Sequence, residues 1–297
     1  DDTVACIDSL RKSASACRII VVDNASAPAD CNNLSRFLAG NEKLICNDVN
    51  GGYTGGMNTG IDYAFKAGAD AVFVLNNDII VGSHCIGSLV DSLQTDPKIG
   101  IIGPKVLYYD KPDTINYAGI SGNLEGGRFV HIGKDLPDSN AFEQVVPTFY
   151  QEGSALMITR ACYEQIGGFD TALWSYWEDT DMCIRARLAE FKVMCNQSAK
   201  IWHKISSSFG TYYDRNPLSV YYRTRNRFLV YRRYAADGSQ ASKSVARALS
   251  RSPRQTAKLL IRSKRHRLAN TGAYWLAVWD GITSDVNKPR QRYLPLS

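Results

Sequence analysis

Residues 71–78 read AVFVLNND, five apolar residues followed by three amide or carboxylate side chains. A short apolar run bounded by polar turn formers predicts a buried strand that ends before Asn76. Residues 18–22, RIIVV, form a second such run, and it ends in Asp23 and Asn24. Both segments therefore place oxygen-bearing side chains directly after a predicted strand.

Helical and strand patterns alternate through residues 1–95. We predict helices at 3–12, 34–38 and 58–67, and strands at 18–22, 44–46 and 71–75. This alternation is typical of the α/β class, with a mostly parallel sheet flanked by helices. Ligands bind such sheets outside the carboxyl ends of the strands, so the two polar segments are candidate site residues.

Later segments suggest how the chain is divided. Residues 100–150 are rich in Gly, Asp and Asn and predict loops and edge strands. Residues 155–158 predict a strand and residues 177–191 a helix, after which the chain becomes helical, basic and aromatic. We expect an α/β domain over 1–215 and a basic helical C-terminal region over 216–297.

Composition excludes several classes of protein. The 297 residues are 44% hydrophobic and 22% charged, which is typical of a globular protein, and no apolar run approaches the ~20 residues of a membrane helix. The chain opens with two aspartates, so no signal peptide is expected at its start. Eight cysteines without a CxxC pair favour free, mostly buried thiols in a reducing compartment.

Charge is unevenly distributed along the chain. The net charge of +6 combines −8 over residues 1–222 with +14 over residues 223–297. A basic tail on an acidic body predicts an anionic partner, namely a membrane surface, a lipid-linked phosphate or a nucleic acid.

Each polar strand end has two interpretations. The segment 76–78 could hold a divalent cation through carboxylate and amide oxygens, or it could simply form a turn. Asp23 could accept hydrogen bonds from a nucleobase or a ribose, or it could cap a helix or an Asx-turn.

Residues 50–58, NGGYTGGMN, predict a glycine-rich loop that enters a helix. Glycines let the backbone approach a ligand closely, and a helix N-terminus favours phosphate groups. The segment matches neither GxGxxG nor GxxxxGK[ST], which argues against a Rossmann dinucleotide site and a P-loop.

Residues 174–181, WSYWEDTD, combine aromatic and acidic side chains at a predicted helix start. This composition suits a sugar platform beside a general base. The alternative is that the acids stabilise the helix N-terminus and that Asp181 pairs with Arg185. His203 is either a metal ligand or a structural histidine.

Six segments, taken in order, resemble the family 2 inverting glycosyltransferases of the GT-A fold, which use nucleotide-sugar donors. The segments are VVDNAS (21–26), NGGYTGGMNTGI (50–61), FVLNNDIIV (73–81), EGSALMITRACYEQIGGFD (152–170), YWEDTDMCIRARLAEFKV (176–193) and WHKISSSFG (202–210). They are similar in particular to rhamnosyltransferase-like members that build bacterial surface polysaccharides.

The resemblance implies a role for each candidate residue. The catalytic base is Asp179, with Glu178 as the fallback, and Asp78 and His203 hold Mg²⁺ or Mn²⁺. The implied donor nucleotide-binding residues are Asp23, Asn24, Gly52, Gly55, Asn58, Asn76 and Asn77. The implied acceptor-binding residues are Gly153, Trp174 and Trp177.

Two departures from the family pattern stand out. Asn76 replaces the first acid of the family's metal-binding DxD segment, which leaves one metal carboxylate fewer. The family's first strand is expected to precede Asp1, so the chain is expected to lack it.

The resemblance also implies a reaction. It predicts inverting transfer of a hexose, rhamnose as the first choice, from a dTDP- or UDP-linked donor to a growing glycan that is lipid-linked. The alternatives are a galactosyl- or galactofuranosyltransferase, a sugar nucleotidyltransferase and a nucleic-acid-binding protein. A nucleotidyltransferase needs a basic phosphate loop, which residues 50–58 lack, and nucleic-acid binding leaves the acids at the strand ends unexplained.

The tail suggests where the protein acts. Residues 223–267 contain 14 Lys and Arg and a single acid, and residues 273–279 read AYWLAVW. We expect a cytoplasmic protein held at the inner face of the membrane by this tail, without nucleic-acid binding. The alternative, which can hold at the same time, is that Trp275 and Trp279 face inward and pack the tail onto the catalytic domain.

Overall fold

The computed structural model describes residues 2–15, 17–124, 128–204, 216–235, 238–263 and 266–292. The chain forms two compact units. The first unit comprises Asp1–Ser121, Val130–Thr171 and Asp179–Ile205, and the second comprises Gly122–Phe129, Ala172–Glu178 and Ser206–Ser297. The expected boundary after residue 215 stays a prediction.

Helices and strands alternate over the first half of the chain. The helices are α1 (Asp2–Arg11), α2 (Pro28–Phe37), α3 (Gly52–Lys66), α4 (Cys85–Thr95), α5 (Arg160–Ile166), α6 (Glu178–Leu188), α7 (Pro217–Arg233), α8 (Gly238–Ser250), α9 (Ser252–Arg262) and α10 (Arg267–Thr283). The strands are β1 (Ile20–Asp23), β2 (Lys43–Cys46), β3 (Ala71–Leu75), β4 (Ile79–Val81), β5 (Ile99–Tyr108), β6 (Lys111–Tyr117), β7 (Ile120–Asn123), β8 (Arg128–His131), β9 (Val145–Pro147), β10 (Ala155–Thr159) and β11 (Lys192–His203).

The main sheet is mixed and has the order β3-β10-β5-β11-β4, with β6 added on β5 and β9 on β11. Strands β5 and β11 run parallel, whereas β10 is antiparallel to both β3 and β5. Strands β1 and β2 form a separate parallel pair. The α/β class is confirmed, but the sheet is less parallel than expected, because β10 comes from outside the alternating stretch on which that expectation rested.

Strand β5 lies where loops and edge strands were expected. All of its residues except the last are buried, and it lies between β10 and β11. Its glycines misled the prediction, because they serve close packing. A Cβ on Gly103 would lie 2.1 Å from a side-chain atom of Gln151, which is itself fully buried.

Helix α3 begins at Gly52, inside the segment expected to be a loop. The helix contacts both β1 and β3. A Cβ on Gly56 would lie 3.1 Å from Asn24 Nδ2, and one on Gly60 would lie 3.2 Å from Val22 Cγ2. Gly56 in this segment and Gly60 just after it therefore let α3 pack closely against β1 and the residue that follows it, and the prediction of a loop was wrong from Gly52 onward.

Two of the eight cysteines are not free. Cys31 on α2 and Cys46 at the end of β2 form a disulfide, with Cα atoms 6.9 Å apart. The expectation of free thiols is wrong for this pair, because the turn after α2 brings β2 back alongside the helix. The other cysteines are reduced, and all of these except Cys17 are buried.

The second unit has its own apolar core. Phe228 of α7 packs with Leu259 of α9 and with Tyr274 and Val278 of α10. The other face of α10 is open, since Trp275 and Trp279 are 45% and 62% exposed. The alternative interpretation, in which these tryptophans face inward, is wrong, because Tyr274, Ala277 and Val278 occupy the buried face.

Within the described residues, none of the helices has the length and apolar character needed to cross a bilayer.

Ile101→Ala tests the core of the first unit. Ile101 on β5 is fully buried and packs with Leu156 and Ile158 of β10. Loss of its side chain should lower the free energy of unfolding by about 2–5 kcal/mol, measured by denaturant titration. Leu188→Ala, at a position 72% exposed, is the matched control and should change it by about 0.5 kcal/mol or less. Equal effects of the two variants would contradict this assignment of the core.

Candidate active site

Asp179 lies in the first turn of α6, and two backbone N–H groups and one hydroxyl donate to its carboxylate. The Gly153 N–H donates to Oδ2 at 3.1 Å, and the Thr180 N–H and hydroxyl donate to Oδ1 at 2.6 and 3.2 Å. The Gly153 carbonyl accepts a hydrogen bond from the Tyr53 hydroxyl of α3. A base candidate is thus oriented by α3, by the residues before β10 and by its own helix.

Burial raises the pKa of Asp179, and the hydrogen bonds from Gly153 and Thr180 oppose part of that shift. Desolvation disfavours the charged carboxylate, whereas N–H donors stabilise it. Because the donors favour ionisation while burial strengthens proton affinity, the carboxylate is suited to accept a proton from a neighbouring hydroxyl.

Glu178 and the aromatic residues before it belong to the second unit. The Glu178 side chain is buried. Trp174 stacks on Tyr222 with ring centroids 4.8 Å apart, and Trp177 meets Tyr231 edge to face at 5.6 Å. The structure thus uses both tryptophans for aromatic packing, and their acceptor role stays a prediction.

Asp78 and His203 are brought together from distant parts of the sequence. Asp78 directly precedes β4 and His203 ends β11, and these two strands pair antiparallel. His203 Nε2 lies 3.1 Å from Asp78 Oδ1, and the Asp78 carboxylate is buried. The sheet therefore builds the pair that was predicted to hold a metal ion.

Two buried polar atoms of the described residues bear on whether this pair suits a metal ion. Among the described residues, Asn76 Oδ1 and His203 Nδ1 are buried and have no hydrogen-bond partner. Magnesium is typically held by one or two carboxylates together with substrate phosphate oxygens. One carboxylate with an amide oxygen and an imidazole nearby fits Mg²⁺ or Mn²⁺. The Asn77 amide instead donates to the Thr3 hydroxyl of α1 at 3.0 Å.

Asn24 joins the end of β1 to the start of α3. Its amide donates to the Gly52 carbonyl at 2.8 Å, and its Oδ1 accepts from the Gly51 N–H and from Asn47. Gly52 has φ +72°, a left-handed conformation that favours glycine. These contacts fix the backbone at the helix entrance.

Asp23 is buried beside Asn24, and its Oδ2 accepts the Ser26 N–H at 3.0 Å. One of its carboxylate oxygens lies within 4.8 Å of the sulfurs of Cys31 and Cys46. Asp23 therefore forms the local turn that was the alternative interpretation, and its nucleotide role stays a prediction.

Two other predicted donor residues differ in their surroundings. Asn58 Nδ2 donates to the Phe169 carbonyl, and Asn58 Oδ1 accepts a hydrogen bond from the Phe169 N–H, both at 2.8 Å. This side chain therefore holds the turn before residue 170. Gly55 has open space where a Cβ would be, which leaves that part of α3 accessible.

Three residues that shape the site were not predicted from the sequence. Tyr53 lies inside the glycine-rich segment, where a lone aromatic residue was the only available signal. Thr180 directly follows the predicted base, and its hydroxyl could have been noted as a donor to a neighbouring carboxylate. Asn47 gave no signal, because its contact with Asn24 depends on the pairing of β1 with β2.

Residues 1–167, more than half of the chain, match the family model described as glycosyl transferase family 2. The chain belongs to this family. Its α/β sheet, its acidic strand end and its acids at the start of α6 follow the resemblance stated for the six segments.

Relatives in the family include two named rhamnosyltransferases. The N-acetylglucosaminyl-diphospho-decaprenol L-rhamnosyltransferase of Mycobacterium tuberculosis is 27% identical over 74% of this chain and 81% of its own. The dTDP-rhamnosyl transferase RfbF of Shigella flexneri is 24% identical over 90% of this chain and 86% of its own.

A solved structure supports the GT-A fold. The mannosyltransferase PcManGT from Pyrobaculum calidifontis, in complex with GDP-Man and Mn²⁺, has a TM-score of 0.56. It is 13% identical and covers 95% of this chain and 84% of its own. At this level of identity the likeness shows the fold alone.

Proposed function

We propose that the protein transfers a hexose from a nucleoside-diphosphate sugar to a hydroxyl of a lipid-linked glycan, with inversion at the anomeric carbon. The observation that carries the proposal is the Asp179 carboxylate, whose pKa is raised by burial and which three donors orient. Rhamnose is the first choice of sugar, since both relatives described above are named rhamnosyltransferases.

Asp179 acts as the general base in this proposal. Its carboxylate takes the proton of the acceptor hydroxyl while that oxygen bonds to the anomeric carbon and the nucleoside diphosphate departs. A single displacement of this kind inverts the anomeric centre. A base of raised pKa performs this proton transfer better near neutral pH than an ordinary surface carboxylate does.

The donor would lie along the ends of β1 and β3. We assign the nucleotide to a set of side chains and glycines at these ends and on α3: Asp23, Asn24, Gly52, Gly55, Asn58, Asn76 and Asn77. Asp78 and His203 would hold Mg²⁺ or Mn²⁺. A divalent ion supplies positive charge that stabilises a departing diphosphate.

The proposed acceptor is a lipid-linked glycan. Gly153, Trp174 and Trp177 are the proposed acceptor contacts, and the name of the mycobacterial relative includes a lipid-diphosphate-linked sugar. A galactosyl- or galactofuranosyltransferase is the second candidate. Membership in a glycosyltransferase family argues against a nucleotidyltransferase and against a protein that only binds nucleic acid.

We further propose that the second unit binds an anionic membrane surface. One stripe of α10 carries the exposed Leu268, Trp275 and Trp279, and α9 adds the exposed Leu260 and Ile261. Tryptophan is favoured at membrane interfaces, and arginines attract anionic lipid headgroups. Arg262 and Arg267 are exposed near this stripe in sequence. Lys264 and Arg265, also predicted to contribute, lie outside the described residues.

Asp179→Asn tests the base. The variant keeps the size of the side chain but cannot take a proton, so kcat should fall by about 10²–10⁴-fold while donor affinity, measured by calorimetry, persists. In the wild type, kcat should fall as the pH drops through the raised pKa of Asp179, because the base becomes protonated. Asp91→Asn, an exposed acid on α4, is the control and should retain activity. Near-normal turnover in Asp179→Asn would reject this base and move attention to Glu178→Gln.

Asp78→Ala and His203→Ala test the metal. Asp78→Ala should abolish the increase in donor affinity that Mn²⁺ or Mg²⁺ produces, and His203→Ala should reduce it, both measured by calorimetry with and without the ion. EDTA should abolish the same increase in donor affinity in the wild type. His84→Ala, at an exposed position before α4, is the matched control. Full activity in EDTA would contradict the proposed ion.

Vesicle co-sedimentation tests the membrane surface. A variant with Trp275→Ala, Trp279→Ala, Arg262→Gln and Arg267→Gln should bind vesicles containing phosphatidylglycerol less than the wild type, by about fivefold for each arginine removed. High salt should weaken the binding of the wild type to these vesicles. Leu188→Ala, an exposed apolar residue of the first unit, is the control. Equal binding by the wild type and the quadruple variant would reject this surface.

A further inference from the structure

The backbone before α6 adopts an unusual conformation. Trp174, Tyr176 and Trp177 have φ values of 63°, 67° and 72°. Residues with a Cβ rarely adopt this left-handed region, and bulky side chains are outliers there. Such a conformation persists only where the surrounding structure imposes it. Some other group must therefore hold these residues in place.

Asn226 of α7 supplies that group. Its Nδ2 lies 2.8 Å from each of three carbonyl oxygens, those of Leu173, Ser175 and Tyr176. The amide has two hydrogens, so three acceptors share them. Asn226 is fully buried. Without this amide, the three carbonyls would lose their shared donor, which is costly in an interior. The Leu173 carbonyl would keep the Ser175 N–H at 2.7 Å, so the loss falls mainly on the Ser175 and Tyr176 carbonyls.

Arg225 fixes the orientation of the Asn226 amide. Its Nε donates to Asn226 Oδ1 at 2.8 Å, so the oxygen faces the guanidinium and the NH₂ group faces the carbonyls. Its Nη2 donates to the Ala172 carbonyl at 2.8 Å, which extends the same contact by one residue. Arg225 is also fully buried, and its guanidinium lies 4.6 Å from the centre of the Tyr222 ring.

Aromatic packing alone does not explain this arrangement. The stacking of Trp174 on Tyr222 positions a side chain, but ring contacts do not satisfy carbonyl groups. The hydrogen bonds from Arg225 and Asn226 act instead on the backbone of residues 172–176. One residue separates that backbone from the start of α6 at Glu178.

We propose that Asn226 is a positioning residue for the transfer reaction, because its amide holds residues 173–176 in the conformation from which α6 and Asp179 continue. Arg225 assists by fixing that amide. This inference rests on the proposed role of Asp179 as the base. Asn226 touches neither the substrates nor the reacting atoms in this proposal.

Asn226→Asp is the sharpest test, and Asn226→Ala is the second variant. Aspartate keeps the volume and still accepts from Arg225 Nε, but it presents an oxygen where the three carbonyls need a donor. We expect kcat to fall by about 10²-fold, the effect of a small misplacement of a catalytic group. Donor KM, and donor affinity measured by calorimetry, should stay within about twofold.

Asn270→Ala is the matched control. Asn270 is also a fully buried asparagine of the second unit, and its amide donates to the Ser263 hydroxyl. This variant should lower the melting temperature while leaving kcat within about twofold. A loss of kcat in both variants in proportion to their loss of stability would overturn the positioning role.

A second-site substitution adds a rescue. Asparagine tolerates the left-handed region better than tyrosine does. Tyr176→Asn should therefore make the conformation of residues 173–176 less dependent on the Asn226 amide. The double variant with Tyr176→Asn and Asn226→Ala should have a kcat at least tenfold higher than that of Asn226→Ala alone. Hydrogen exchange should be faster in peptides covering residues 172–179 of Asn226→Ala and slower again in the double variant.

The outcomes separate the two proposals. If the wild type transfers sugar and folded Asn226→Asp keeps its kcat, the positioning role is rejected and the proposed function stands. If the wild type transfers no sugar from any donor tested, the proposed function fails and the positioning role fails with it. A selective loss of kcat together with rescue by Tyr176→Asn supports the positioning role.

Discussion

The backbone at Gly153 and Ser154 connects the parts of the candidate site. The Gly153 N–H donates to Asp179, its carbonyl accepts from Tyr53, and the Ser154 carbonyl accepts the Asn76 N–H at 2.9 Å. A Cβ on Gly153 would lie 3.1 Å from the Tyr53 hydroxyl, a tight contact that would require that side chain to shift slightly. The base, the entrance of α3 and the polar end of β3 are thus held by the backbone of two adjacent residues, Gly153 and Ser154.

This connection follows from how β10 is inserted. Because β10 pairs with β3 in antiparallel register, Ala155 lies opposite Leu75, and the residues just before β10 come to lie beside those just after β3. A parallel neighbour would have placed the start of one strand beside the start of the other. The mixed sheet, which differs from the expected mostly parallel one, is therefore what brings the two segments together.

The polar ends of the strands could be predicted from the sequence, but the residues that hydrogen-bond across the site could not. Residues 71–75 and the acids after them could be recognised because an apolar run and a turn leave a local pattern. The glycines of residues 50–58 misled us because close packing of α3 on β1 and a flexible loop require the same residue type. Tyr53 and Asn226 were missed because their partners lie about 100 and 50 residues away, a separation that no local pattern encodes.

Strain before α6 can be weighed against the stability of the whole protein. Each left-handed residue with a Cβ costs about 1–3 kcal/mol, and Trp174, Tyr176 and Trp177 carry three such costs. A domain has a net stability of only about 5–15 kcal/mol, so the surrounding contacts, among them those of Arg225 and Asn226, must offset this strain. A scaffold has no reason to combine bulky rings with a conformation suited to glycine. The combination is understandable if the conformation of residues 174–177 serves to place the first carboxylates of α6. That placement would then matter more than the stability of the segment itself.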